Sequence, residues 1–156
     1  MYYFLEEDLV ALNAQIAELV KKLRDIGQEM GDAVGQSSET WHDNFGHEEA
    51  TRQYGMWSER LRQLVEVRDN AQITTLVSQP HTVVIGCRVT FVDAQGTEKT
   101  LQIGSFTVPT GKQDVSYISP IARVLMGARV GDEVSGKVAG KEVTYEILKI
   151  EQYVRS

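Results

Sequence analysis

Apolar residues recur along the first half of the chain at alternating steps of four and three. Leu5, Leu9, Leu12, Ile16, Leu19, Leu23, Ile26 and Met30 form one series. Ala50, Tyr54, Trp57, Leu61, Leu64 and Ala71 form a second, with a gap where Arg68 falls. Such steps keep residues on one stripe of a helix. The pattern predicts a first helix from about Tyr3 to Val34, and a second that starts between Asn44 and Glu48 and ends near Asn70 or Thr74. The polar break Gly35-Gln36-Ser37-Ser38-Glu39-Thr40-Trp41-His42-Asp43-Asn44 separates them. A short break between two such stripes folds them into an antiparallel pair. At ~1.5 Å per residue, roughly 30 helical residues carry that break about 45 Å from the other end.

The periodicity changes after Ala71. Ser78-Gln79-Pro80-His81 reads as a linker, since Pro80 stops a helix. Thr82 to Val92 alternates and is rich in β-branched residues, Asp93-Ala94-Gln95-Gly96 is a hairpin turn signal, and Thr97 to Phe106 is a second strand. Pro109 to Lys112 is a loop and Val115 to Ile118 a short extended stretch. Ser119-Pro120 opens a short helix, with Ser as the cap and Pro at the first helical position, and Gly127 closes it. Val134 to Val138, a Gly140-Lys141 turn and Val143 to Tyr153 make a last hairpin. The fold class is α+β: an N-terminal antiparallel two-helix coiled coil over 1–76 with its tip loop near 35–44, a linker at 77–81, and a small antiparallel sheet domain with one short helix over 82–156.

Composition narrows the reading. The 156 residues are 42% hydrophobic and 24% charged, as in a soluble folded protein. A net charge of −6 argues against non-specific binding to duplex nucleic acid, though not against a local basic patch. The single cysteine, Cys87, has no internal disulfide partner and lies in an apolar alternating run, so it reads as a buried small hydrophobe in a reducing, cytoplasmic setting. No charged-then-apolar leader and no run of 18 apolar residues occurs, so neither a secretion signal nor a membrane span is expected.

Candidate chemistry gathers at a few places. Lys21, Lys22 and Arg24 form the one basic knot of the first helix. It reads as a solvated face, with Glu18 and Lys22 in the favourable i, i+4 order, or as a contact to an RNA phosphate backbone. At the tip, Thr40 and Asp43 fit a capping box. Trp41 has no such explanation, because a large aromatic at an exposed tip either folds back or meets a partner. His42 and His47 bring no second ligand cluster, which argues against a metal site made by this chain alone.

The C-terminal part resembles a known family. Ser119-Pro120-Ile121-Ala122-Arg123, then Val130-Gly131-Asp132-Glu133-Val134, then the strand Val143 to Ile150, are similar to the C-terminal signature of the bacterial GreA/GreB transcript-cleavage factors. Asp43-Asn44 falls where that family has its tip Glu-Asn. The resemblance implies an FKBP-like C-terminal domain that docks on the rim of the secondary channel of bacterial RNA polymerase through Ile118, Ser119, Pro120, Ile121 and Arg123. It implies that the coiled coil enters the channel, near the 3′ end of the nascent RNA, and that tip carboxylates help hold a Mg²⁺ of the polymerase active site. On this reading the chain is a cytoplasmic monomer with no cofactor of its own and no membrane partner. It is not itself an enzyme, because it modulates chemistry that belongs to the polymerase.

The tip departs from the family pattern Asp-x-x-Glu-Asn. Here those positions are Thr40, Trp41, His42, Asp43 and Asn44, with Glu39 one place earlier. A one-residue shift moves a carboxylate by ~3.5 Å, which is large against Mg²⁺ ligation at ~2.1 Å. Two readings follow: Glu39 and Asp43 form a working acid pair, or the chain occupies the channel as an inhibitor or competitor without stimulating cleavage. Two readings of other classes remain, a prolyl isomerase and a coiled-coil adaptor for some other groove. An isomerisation assay tests the first, and failure to co-purify with polymerase would favour the second.

Overall fold

The computed structural model describes residues 1–37 and 45–155. The chain opens with a short strand, β1 (Tyr2–Phe4), and continues into α1 (Glu6–Ser37) and α2 (Phe45–Asp69). β2 (Ala71–Ile73), β3 (Cys87–Asp93), β4 (Glu98–Gly104), β5 (Val115–Ser116), α3 (Pro120–Leu125), β6 (Glu133–Val138) and β7 (Lys141–Gln152) follow. Two compact units result, Val10–Asn70 and Met1–Leu9 with Ala71–Ser156.

This division corrects the expected boundaries in one respect. The pattern put 1–76 into one helical domain, whereas β1, the first turn of α1 and β2 group with the sheet. Tyr3 and Ala71, read as helical, are strand residues that pair in parallel register, Tyr2 with Ala71 and Phe4 with Ile73. Parallel strands need a long crossover, and the excursion through α1 and α2 supplies it. Aromatic residues favour an extended backbone, and the Tyr2-Tyr3-Phe4 run precedes the first charged residues, Glu6 and Glu7.

In the helical unit, α1 buries Leu12, Ile16, Leu19, Leu23 and Ile26, the expected stripe. Lys22 meets Trp57 and Gly27 meets Tyr54, so positions rise on one helix as they fall on the other and the pair is antiparallel. The 32 residues of α1 correspond to about 48 Å of helix at ~1.5 Å per residue.

The larger sheet has the order β5-β4-β3-β7-β6. β3 pairs antiparallel with β4 and with β7, and β7 antiparallel with β6. The expectation of a wholly antiparallel sheet fails at one edge, where β5 runs parallel to β4. A register shift between Thr90 and Phe91 leaves Leu148 of β7 without a partner, a bulge that bends the central pair. The buried face presents Cys87, Val89 and Phe91 of β3, Ile103 of β4, and Tyr145 and Ile147 of β7, against which Ala122 and Leu125 of α3 pack. The alternation of β3 therefore follows the period of 2 that the sequence carries. Gly136 lets α3 lie close on β6, since a Cβ there would come within 2.6 Å of Val124 Cγ2. Gly86 turns the chain into β3 at φ +81°, a region open to glycine without strain.

Candidate functional site

The segment Tyr117 to Arg123 is built as the sequence predicts. Ser119 is the N-cap of α3, and its Oγ accepts from the Ala122 amide at 3.4 Å. Pro120 occupies the first turn, where its missing N–H costs nothing. The stretch before the cap is fixed by Ser116, whose Oγ donates to the Phe106 carbonyl at 2.8 Å and accepts from the Ile118 amide at 3.3 Å. This anchoring turns Ile118 outward, 37% exposed, while Ala122 and Leu125 are fully buried. Pro120 and Arg123 are exposed with Ile118, and Ile121 is half-buried against the core. The five expected docking residues thus divide into an outward set, Ile118, Pro120 and Arg123, and an anchoring set, Ser119 and Ile121.

Sequence reading missed the neighbour of this surface. Tyr3 lies with its ring centroid 6.0 Å from that of Tyr117, and the Tyr117 hydroxyl accepts from the Tyr3 amide at 3.1 Å. Phe106 joins Tyr117 on one side and Tyr2 and Phe4 on the other. The signal was the three consecutive aromatics at positions 2–4, which a helix assignment absorbed.

A buried ionic cluster lies in the same unit. Lys112 Nζ donates to Asp8 Oδ1 at 2.6 Å, to Glu7 Oε1 at 2.7 Å and to the Tyr153 hydroxyl at 3.0 Å. The other Asp8 oxygen accepts from Ser105 Oγ at 2.6 Å, and Ser105 Oγ accepts from the Leu5 amide at 2.8 Å. Asp8, in the first turn of α1, is 2% exposed. Its position three after Leu5 and four before Leu12 puts it on the apolar stripe, where a carboxylate signals a buried partner. Burial alone would lower the Lys112 pKa, but the hydrogen bonds to Asp8, Glu7 and Tyr153 outweigh it and hold the ammonium well above the usual lysine range. Burial pushes the Tyr153 hydroxyl up to about 12, and its bond to Asp114 adds to the shift. The Cys87 thiol is fully buried and its pKa is raised by burial, as befits a core residue.

The comparisons with known proteins fall on this geometry. Residues 78–152 match the family described as "Transcription elongation factor, GreA/GreB, C-term". The transcription elongation factor GreA of Desulfovibrio desulfuricans is 28% identical over 152 residues, covering 96% of this chain and 88% of that protein. Residues 78–152 are a GreA/GreB C-terminal domain, and the similarity to GreA factors extends over the rest of the chain. The GreA of Pseudomonas aeruginosa is 29% identical over 150 residues, covering 94% of this chain and 90% of that protein. Among solved structures, GreA factor homolog 1 (Gfh1) of Thermus thermophilus is similar at 20% identity and a TM-score of 0.45, covering 96% of this chain and 97% of that one.

The matched region contains the whole Tyr117 to Arg123 surface. The basic knot is partly engaged. Lys22 Nζ sits 3.6 Å from the Trp57 ring centroid, a cation–π contact in place of the expected pairing with Glu18. Lys21 and Arg24 are exposed. The tip residues Glu39, Thr40, Trp41, His42, Asp43 and Asn44 lie outside the described residues. Among the described residues, no group of three His, Cys, Asp or Glu side chains is arranged to hold a metal ion. No described helix is long and apolar enough to cross a membrane.

Proposed function

We propose that this Gre-family chain binds bacterial RNA polymerase at the rim of its secondary channel and modulates elongation and the cleavage of backtracked transcripts. The observation that supports this most is the outward set Ile118, Pro120 and Arg123, an apolar pair beside an exposed guanidinium within the family-matched region. Apolar and arginine side chains held on a rigid support are what a specific protein contact uses. Ser119 and Ile121 position the segment, and Glu39 and Asp43 are the carboxylates that the helix pair would present. The Mg²⁺ in this reading belongs to the polymerase and supplies the activation of water there. The chain contributes acceptor oxygens and reach, and it works as an accessory factor in the cytoplasm.

A second reading is favoured by Thr40, which stands where the family pattern has its first acid. On that reading the chain occupies the channel and inhibits, or competes with, authentic cleavage factors. One experiment separates the two: cleavage by a stalled, backtracked elongation complex, with and without the chain, across Mg²⁺ concentration. Stimulation that Glu39→Gln or Asp43→Asn removes supports the cleavage reading. No stimulation, with loss of cleavage by an added GreA, supports the inhibitor. Binding of Pro120→Ala and Ser119→Glu equal to that of the unaltered chain would reject the docking assignment itself.

A further inference from the structure

A second surface of the sheet unit has its own chemistry, away from the α3 segment. A cleft of about 470 Å³ opens between β4, the 111–114 loop and the C-terminal tail. Arg88 of β3 and Arg155 of the tail both line it. Among the described residues neither guanidinium has an ion-pair or hydrogen-bond partner. Arg88 stands opposite Glu151 in the β3–β7 register, yet Glu151 pairs with Lys149 at 3.6 Å instead.

Thr100, Gln102 and Asp114 of the cleft are already engaged, Thr100 with Thr90. Gln102 Oε1 accepts from the Val154 amide at 2.7 Å, and its Nε2 donates to the Val154 carbonyl at 3.1 Å and to Asp114 Oδ1 at 3.2 Å. The side chain thus pairs with the tail as a strand would, and this fixes the backbone of Val154 immediately before Arg155. The other Asp114 oxygen accepts from the Tyr153 hydroxyl. Asp114 is the one carboxylate among the described residues that line the cleft, and each of its oxygens already accepts one hydrogen bond. What the lining leaves unused is two guanidinium forks and the Gln113 amide, while Leu101 and Val154 add an apolar wall.

We propose that this cleft binds a phosphate-bearing small molecule of nucleotide size. Two arginines against one carboxylate, with neither guanidinium ion-paired to it among the described residues, favour an anion. A phosphate group offers a charge near −2 and three acceptor oxygens at neutral pH, and guanidinium forks match it bidentately. A volume of 470 Å³ lies within the ~300–1,000 Å³ of small-molecule sites and exceeds what a bare phosphate occupies. The apolar wall then faces the base or another flat group. The site is independent of the polymerase reading, since none of its residues belongs to the Tyr117 to Arg123 surface or to the tip.

The test uses the full chain, with ADP, adenosine and inorganic phosphate as probes, followed by calorimetry and by amide chemical shifts of residues 88, 102, 113 and 155. ADP is expected to bind and to move those shifts, adenosine not to bind, and inorganic phosphate to bind at least about tenfold more weakly than ADP. Arg88→Gln and Arg155→Gln should each weaken ADP binding about tenfold, the loss of one charge-assisted contact, at an unchanged melting temperature because both side chains are exposed. Absence of ADP binding at roughly millimolar ligand, ADP binding that survives the double substitution, or adenosine binding as tightly as ADP would each overturn the proposal. Inorganic phosphate equal to ADP would reduce the cleft to a plain oxyanion site and overturn the nucleotide-sized ligand.

Discussion

The sheet unit and the helix pair reach order by different means. The sheet unit closes a core in which Phe91, Val89, Ile103, Cys87 and Leu125 are fully buried, and it encloses the ionic cluster around Lys112. The helix pair has one seam. Five α1 residues are buried along it, but among the described residues of α2 only Leu64 is buried, while Trp57 and Leu61 are half-buried and Tyr54 is 40% exposed. Its ion pairs, Arg52 with Glu49 and Arg62 with Glu59, join neighbouring turns of one exposed helix and tie nothing distant together. A structure held by long-range contacts on all sides opens as a whole, whereas one held along a single seam frays. The difference suits the proposed roles: a rigid surface around α3 for docking, and a slender element for reaching.

The largest effect expected from this contrast is at Phe91, which is 0% exposed and packs edge-to-face on Tyr145 at 4.8 Å. Phe91→Ala should destabilise the sheet unit by about 3–5 kcal/mol. Both tryptophans, Trp41 and Trp57, lie within Val10–Asn70, so tryptophan fluorescence follows that unit, while five of the six tyrosines lie in the sheet unit and add its transition to the near-ultraviolet circular dichroism. In urea, the dichroism transition should move to lower denaturant. If Leu61→Ala on the half-buried side of α2 costs as much as Phe91→Ala, the contrast between a closed core and a single seam is wrong.

Lys112→Met sharpens the comparison from the ionic side. It leaves Asp8 at 2% exposure with Ser105 as its one side-chain donor. Breaking a buried pair from one side should cost about 3 kcal/mol, again seen in the sheet transition. The paired change Asp8→Asn with Lys112→Met should recover part of that loss, since no buried charge is then left unanswered. A third expectation concerns alkaline pH. Tyr153 ionises near 12 in the folded chain against 10.0 ordinarily. Its contribution is therefore complete below pH 10 and lost as the pH rises through about 12. Lys112, whose pKa is raised beyond this, still carries its charge across that window. Tyr153→Phe should lower stability by about 1 kcal/mol at neutral pH, the worth of a hydrogen bond. It should also flatten the loss between pH 10 and 12, which urea midpoints at each pH would measure.

These sites also mark what the sequence made legible. The seam of α1, the Ser119-Pro120 helix start, the hairpins and the buried Cys87 could be read because each rests on local periodicity or on a capping rule. The short strands β1 and β2 could not, because a three-residue strand has no period of its own and is defined by a partner about 70 positions away. The Lys112 cluster was hidden for the same reason. Its members stand at positions 7, 8, 105, 112 and 153, and only Asp8, an acid on an apolar stripe, carried a local sign of it. The proposed docking role of the Ile118 to Arg123 segment came from a resemblance. Its division into outward and anchoring side chains followed only from the bonds that Ser116 makes to Phe106 and Ile118.

The smallest effect belongs to the helix pair and tests whether that unit has any specific tie beyond its seam. Lys22 over Trp57 is the one described contact between α1 and α2 that involves a charge. Lys22→Met keeps an unbranched side chain of similar length and removes the ammonium that lies over the Trp57 ring. The expected loss is about 0.5–1 kcal/mol, read from the tryptophan fluorescence transition, with the circular dichroism transition of the sheet unmoved. High salt should shrink the difference between the two chains, because the site is exposed and its electrostatic part is screened. A loss as large as that of Lys112→Met would mean that the helix pair is also held by a specific polar lock. The distinction between a closed unit and a seam would then fail at its weakest point.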